Sequence, residues 1–597
     1  MTSDPRSAIY ALLDDCESTA ERRSTRLYTG FAHERSATDG AALDAVCVEV
    51  ESDVRGGLHA VVVADYEFGR NLQLAQLGNA ALRFLLFREC AHLSRDEADA
   101  WLASQDEGAA LPSAAGIAGV EASVTRDEFD AAIAAVHEAL RAGDSYQVNY
   151  TYRLTFDVLG TPLALYRRLR ERQSVRYGAL IALPEGGVVV SCSPELFIEK
   201  NGDLLRARPM KGTAPRDTDP QALHDDPKNR AENVMIVDLL RNDMSRVAAT
   251  GTVQVPALFS VEPYASVWQM TSTVEARVRP GIAFADIVRA LFPCGSITGA
   301  PKYKTMQLID QIESTPRGLY TGAIGWLDRG GDFCLSVAIR TLVVGEGRGT
   351  MGVGAGIVLD SVAADEYAEC LLKASFLTGA DPGFELFETM YATRDGGVRH
   401  YDRHLARISH SARYLGFAFD EEHLGTLVDD RCCSFDAGKP YRLRVALDKS
   451  GRITLTHAPL ASLATDSVDV LLAPDHGFAP QSSSDPLLRH KTTRRAEYDR
   501  AWHEAEALGA FDMLFFNERG ELTEGGRTTV FAKLDGRWST PPIDAGVLPG
   551  VMRAVLMEEL SAVERTMTRE ELERAEALIV SNALRGAVKA RLRLSKP

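Results

Sequence analysis

Two lysines and a few spaced carboxylates are the residues of this chain best suited to chemistry. Lys211 is followed by Gly212 and Thr213 in RARPMKGTAPR. A lysine drawn into a pocket at such a strand end can lose its proton and act as a nucleophile. Glu366 and Glu369 lie three apart in VAADEYAECLLK, so one helix carries both on one side. Glu232 stands near the start of a second helical stretch, AENVMIVDLLRND. Carboxylates from two helices, with room for water and a substrate oxyanion, suit Mg²⁺, which takes few protein carboxylates and keeps water ligands. Gly354-Ala355-Gly356 follows a β-branched strand pattern and can present backbone N–H groups to an anion. Arg340, on the preceding strand pattern, can fork a carboxylate. Each feature also has a plainer reading: solvated helix charges, a tight turn, an edge-strand cation, a surface lysine.

A second set lies towards the C-terminus. Pyridoxal phosphate needs a lysine for its Schiff base, an acid beside the pyridine nitrogen and a cup for its phosphate. Lys491 in LLRHKTTRR and Glu524 in LTEGGRTTVF can supply the first two. Arg407, the backbone N–H groups of Val551 and Met552 opening a helix, and Asn582 can form the cup. Spacing alone also allows a glycine-rich turn and a basic loop.

The elements that must hold these residues fall into two blocks. Strand-like and helical segments alternate up to about residue 380. GGVVVSCSPELFIEK (186–200) reads as one strand run with LLRARPMKGT (204–213) as its neighbour, and 227–248 and 363–378 read as amphipathic helices. LTGADPGF (377–384) is a linker signature, after which strand, turn and helix restart. Domains are therefore expected at 1–380 and 381–597, with the first ~120 residues only a mixed scaffold. Lys+Arg 66 against Asp+Glu 83 gives a net −17, which argues against nucleic-acid or anionic-membrane partners. The nine cysteines form no C-x-x-C pair, no apolar run reaches ~18 residues, and the first residues lack the apolar core of a leader. A cytoplasmic, reduced, multidomain enzyme is the expectation.

The blocks GDSYQVNYT, SCSPELF, RARPMKGTAPR, AENVMIVDLLRND, PCGSITGAPK, LYTGAIGW, AIRTL and VGAGIVLDSVAADEYAECLLK, in this order, resemble the chorismate-utilising enzymes. The likeness is strong over about 120–380. Anthranilate and isochorismate synthases of that family carry alanine in P-x-A-G-T, whereas aminodeoxychorismate synthases carry lysine; this chain reads Pro209-Met210-Lys211-Gly212-Thr213. The resemblance implies that Lys211 adds to the 2-position of the chorismate ring and that Glu195 helps the 4-hydroxyl leave. It assigns Glu232 and Glu369 to Mg²⁺. It gives Thr298, Tyr320, Arg340 and the backbone of Gly354, Ala355 and Gly356 to chorismate binding. One position departs: many relatives have histidine where VWQMTS places Gln269, whose amide cannot titrate. None of the cysteines sits in a G-x-C-x-G elbow, so ammonia is expected free or from a separate glutamine amidotransferase subunit.

HLARI, then HKTT, then LTEGGRTTVF, then TPP…LPGV resembles the fold-type IV pyridoxal phosphate family over about 384–590. That likeness implies Lys491 as the Schiff-base lysine, Glu524 at the pyridine nitrogen, and Arg407, Val551, Met552 and Asn582 at the phosphate. Members usually begin with a strand well before F-E-T, but Phe387-Glu388-Thr389 follows the linker almost at once. The expected fold class is α+β: a β-sandwich-like α+β N-terminal domain and an α/β fold-type IV C-terminal domain, with a homodimer possible through the latter. A bifunctional chain is implied, making 4-amino-4-deoxychorismate and then 4-aminobenzoate plus pyruvate for folate synthesis. The rivals are a C-terminal aminotransferase acting on an amino acid, or a degenerate, non-catalytic domain.

Overall fold

The computed structural model describes residues 9–75, 78–263 and 267–594. The chain divides after Ala380 into two compact units.

The N-terminal unit is an antiparallel ladder folded back on itself. Strand His59–Ala64 shows why. Its alternate residues Ala60, Val62 and Ala64 join one core under helices, while Val61 and Val63 face an inner core with Phe31, Phe87, Ile181, Val189 and Ile324. Period-two alternation with both faces apolar makes a strand covered on each side. Helices Leu43–Arg55, Pro227–Ser245 and Phe284–Leu291 cover one outer face, and Arg126–Arg141, Pro162–Arg172 and Ala363–Thr378 cover the other. Helix Pro227–Ser245 starts where the Asp226 side chain accepts from Asn229 N and Pro227 fills its first position; Asn233, Ile236, Val237, Leu240 and Met244 make its buried stripe.

The run 186–200 is not one strand. It breaks into Val188–Ser193 and Leu196–Asn201 around Pro194 and Glu195. Proline cannot donate to a ladder. Leu204–Arg208 pairs with Leu196–Asn201, and Met210–Pro215 pairs with Val267–Arg277.

The C-terminal unit has a four-stranded sheet built wholly from 386–459 and an eight-stranded mixed sheet. Among the described residues no strand precedes Leu386–Thr393 in the smaller sheet, so the usual first strand is absent from it. In the larger sheet, Val470–Leu472 pairs in parallel with Asp512–Leu514, and Leu471, Met513 and Phe515 pack on helix Ala496–Ala507. Among the described residues no helix is long and apolar enough to cross a membrane.

Candidate active sites

The break at Pro194 turns Glu195 inward. Its carbonyl accepts from Val337 N at 3.1 Å and its carboxylate accepts from Ser296 Oγ at 2.8 Å. Burial holds the carboxyl above its ordinary range, against the pull of Ser296, Lys211 and the Met210 N–H. A carboxylic acid that keeps its proton can give it to a leaving hydroxyl.

Lys211 arrives on strand Met210–Pro215, just after the next hairpin. A Cβ built on Gly356 would stand 3.4 Å from Lys211 Nζ and inside contact distance of Gln147 Nε2. Gln147 is 2% exposed, and neither amide atom has a hydrogen-bond partner. A buried, unpaired amide beside a lysine is a group waiting for a ligand. It lies in the GDSYQVNYT block, and only its lack of partners, invisible in sequence, distinguishes it.

Gly354 to Gly356 do not follow a strand; they lie within one, Arg348–Ile357, opposite Thr151 to Asn149. The carbonyl of Gly354 accepts from Lys373 Nζ at 2.9 Å, and Lys373 also pairs with Glu369 at 2.7 Å. Although burial opposes it, Glu369 keeps Lys373 more basic than usual, so this ammonium persists. Glu369 is itself held below the usual carboxylate range: burial raises it, but Lys373, Lys211 and Lys228 outweigh that. Glu366 goes the other way, raised by burial. Lys228 sits one turn before Glu232 on the same helix and draws on both Glu366 and Glu369. Among the described residues no three His, Cys, Asp or Glu side chains converge.

Other expected residues take different places. Arg340 is not on a strand. It lies between Phe333–Val337 and Thr341–Gly345 with φ +50°, and its carbonyl accepts from Cys192 N. Thr298 is fully buried, and its hydroxyl donates to Cys294 O and Gly295 O; Ser296, two residues earlier, is the hydroxyl that reaches Glu195. Tyr320 packs its ring on Gly352 and under the Arg153 guanidinium, 5.1 Å from the ring centroid.

In the C-terminal unit Lys491 follows a short 3-10 turn, and its carbonyl accepts from Phe387 N. Its Nζ lies 4.6 Å over the Phe387 ring. Burial, with Arg495 and Arg407 nearby, pushes the amine down to about 7. Glu524, in strand Leu522–Gly525, accepts from Leu548 N at 3.3 Å and is pushed up to about 7 by burial, with Tyr498 beside it. Arg407 grips Glu388 with Nε at 2.8 Å and Nη2 at 2.5 Å, and His404 Nδ1 bonds the same carboxylate at 2.7 Å. Burial would raise Glu388, but the Arg407 guanidinium and the hydrogen bond from His404 bring it down to about 2. The other arm of Arg407 reaches Pro549 O at 3.3 Å, which sets it beside Gly550 and the helix Val551–Glu559. The N–H groups of Val551 and Met552 open that helix. Asn582 bonds its own neighbourhood: Nδ2 donates to Arg527 O and Oδ1 accepts from Arg585 N. Glu388 and Arg495 lie in the F-E-T and LLRHKTTRR blocks, but nothing in the spacing sets them or Tyr498 apart.

Residues 11–379 match the model of the chorismate binding enzymes, and 385–592 match amino-transferase class IV. The chain belongs to the chorismate binding enzyme family. Its C-terminal unit is a class IV aminotransferase domain. Aminodeoxychorismate synthase component 1 of Klebsiella aerogenes is 42% identical over 261 residues, 42% of this chain and 58% of that protein. The protein of that description from Bacillus subtilis is 34% identical over 54% of this chain and 76% of its own length. Anthranilate synthase component 1 of Streptomyces coelicolor is 38% identical over 47% and 57%. This chain thus covers under two thirds of the first and third. The crystal structure of anthranilate synthase component I from Streptococcus pneumoniae matches with TM-score 0.48 and 23% identity, over 61% of this chain and 89% of that one.

Proposed function

We propose that the N-terminal unit aminates chorismate at its 4-position and that the C-terminal unit releases pyruvate from the product to give 4-aminobenzoate. The observation that carries the first half is Lys211, lodged beside Glu195 and the Gly354–Gly356 strand. The relatives include both aminodeoxychorismate and anthranilate synthases by their descriptions, and the lysine favours the first. In this reading the Lys211 amine bonds to C2 of the ring while the 4-hydroxyl leaves with the proton of Glu195 as water. Ammonia then bonds to C4 and the lysine departs from C2. Glu232 and Glu369 are the ligands we assign to Mg²⁺; carboxylates from two helices, one held ionised among lysines, suit a cation that binds through few protein oxygens. Such an ion would neutralise the ring carboxylate. The ammonia is expected from a separate glutamine amidotransferase.

The second half rests on a buried amine brought near neutrality beside a buried acid and a cationic helix start. This donor set fits pyridoxal phosphate: Lys491 to hold it, Glu524 at the ring nitrogen, Arg407 with the Val551 and Met552 N–H groups at the phosphate. The bound cofactor would supply an electron sink. Lys491 would take the proton from the ring carbon bearing nitrogen, and loss of pyruvate would leave an aromatic ring. The class IV family name favours a second reading, amino transfer to a keto acid.

One experiment separates these. The chain is given chorismate, Mg²⁺, ammonium and pyridoxal phosphate, and products are weighed by mass spectrometry. 4-Aminobenzoate with equal pyruvate is expected. Accumulated 4-amino-4-deoxychorismate alone overturns the second half, and unconsumed chorismate overturns the first.

A further inference from the structure

Strand Met210–Pro215 pairs with Val267–Arg277 so that Met210 faces Thr271 and Thr213 faces Gln269. Three steps on one strand oppose two on the other, and the surplus falls at Lys211 and Gly212. Such a bulge takes a residue out of the ladder and re-aims its side chain. Gly212 completes it at φ +93°, a left-handed value that a side chain would strain. The Asn229 side chain, on the helix that carries Glu232, lies about 3 Å from where a Gly212 Cβ would stand.

A bulge leaves backbone groups without ladder partners. Here one side chain meets one of them, the Gly212 carbonyl, and ties it to the next residue's hydroxyl. Gln269 Nε2 donates to Gly212 O at 2.9 Å, and Gln269 Oε1 accepts from Thr213 Oγ1 at 2.9 Å. The amide spans the bulge with one donor and one acceptor. Neither of its atoms bonds to Lys211, Glu195 or Gln147. Flanking it, Trp268 Nε1 donates to Thr218 O, and Arg216 covers the Trp268 ring at 3.9 Å, so the amide is delivered from a braced strand.

We infer that Gln269 is a positioning residue: its amide locks the bulge that aims Lys211 at the substrate ring. This rests on the reading of Lys211 as the nucleophile. A misplaced nucleophile slows chemistry without weakening substrate binding, and a displacement of about 1 Å can cost on the order of 100-fold.

The test uses the full chain with chorismate, Mg²⁺ and ammonium. Gln269→Met, of similar length but without the amide, should lower kcat for chorismate amination roughly 10–100-fold and leave KM for chorismate within about threefold. Thr213→Val should lose part of this. The double variant Thr213→Val/Gln269→Met should be no slower than Gln269→Met alone, because both remove one linkage. Gln269→Glu gives a readout that loosened packing would not. Its carboxylate can accept from Thr213 but cannot donate to Gly212 O, whereas the protonated acid can do both. Its kcat relative to the parent should therefore rise as pH falls from 8 to 6, and this comparison holds even if Gln269→Met folds poorly. Parent-like kcat in Gln269→Met, a change confined to KM, or a flat pH ratio in Gln269→Glu overturns the inference. Lys211→Ala is run alongside: if it keeps the parent rate, the nucleophile reading itself falls, whereas a dead Lys211→Ala with an active Gln269→Met condemns only the role of Gln269.

Discussion

Lysines of this chain show how far surroundings rather than residue type set reactivity. Lys373, facing Glu369, is kept more basic than usual, while Lys491 is pushed down to about 7 by burial and two arginines. One is fixed as a cation for an oxyanion or carbonyl; the other offers a free amine near neutrality. Capture of pyridoxal phosphate needs that free amine. Below about 7 the capture rate should climb about tenfold per pH unit, and above it the rate should level, because the folded amine is already unprotonated. An ordinary lysine would keep accelerating to about 10.4. Stopped-flow absorbance of the apo chain mixed with cofactor measures this, and a rate still climbing at pH 9 would contradict the burial argument. Glu195 gives a companion expectation in the other unit. Its carboxyl is held above the ordinary range, so the acid form is lost only as pH rises through that raised value, and amination should decline on the alkaline side. Glu195→Gln keeps a partner for Ser296 but no proton to give; kcat should drop about 10²–10⁴-fold and the alkaline limb assigned to Glu195 should vanish.

Within a single strand, two glycines two residues apart should fail for different reasons. A Cβ on Gly354 would run into the Tyr150 carbonyl and the Thr151 side chain, on a paired strand that has little room to move. Gly354→Ala should cost about 1–3 kcal/mol of stability in the N-terminal unit, seen as a lowered melting transition of that unit. A Cβ on Gly356 meets the far end of Gln147 and the Lys211 amine instead. Gly356→Ala should melt close to the parent yet lose at least about tenfold in chorismate amination, since flexible ends can shift but not without leaving their places. Equal melting losses in both variants would remove the distinction. These glycines also mark what a sequence can carry. The helix at 363–378 was legible to the residue, because its periodicity is local. Lys211, Lys491 and Glu524 could be picked out from short blocks. The place of Arg340 between strands and the bulge at Lys211 were not legible, because each depends on which distant strand lies alongside; the break at Pro194 was marked only by the proline inside an otherwise β-branched run. Gln147, Ser296 and Glu388 stayed hidden for a related reason: Ser296 meets Glu195 from 101 residues away, Glu388 meets His404 from 16 away, and Gln147 is marked by having no partner.

At the scale of the whole chain, two sites with unlike chemistry sit in separate compact units, and each keeps its own set of charged partners. Disabling one should leave the other intact. In the proposed sequence, Lys491→Ala should still consume chorismate and ammonia, with 4-amino-4-deoxychorismate accumulating in place of 4-aminobenzoate. Lys211→Ala should do the reverse, leaving chorismate untouched while still turning added 4-amino-4-deoxychorismate into 4-aminobenzoate. Neither variant alone should make 4-aminobenzoate from chorismate. Mixed in equal amounts they should restore it, because a released small molecule can leave one chain and enter another. A lag should precede product in the mixture and shorten as protein concentration rises, since a freely diffusing intermediate must first build up to the level the second site needs. Time courses of chorismate, intermediate and product by mass spectrometry follow all three species at once. If the mixture stays silent while each variant keeps its own half-reaction, the two steps must occur within one chain. If Lys491→Ala still releases 4-aminobenzoate at the parent rate, the C-terminal unit is not the lyase, and amino transfer becomes the better account of its buried lysine.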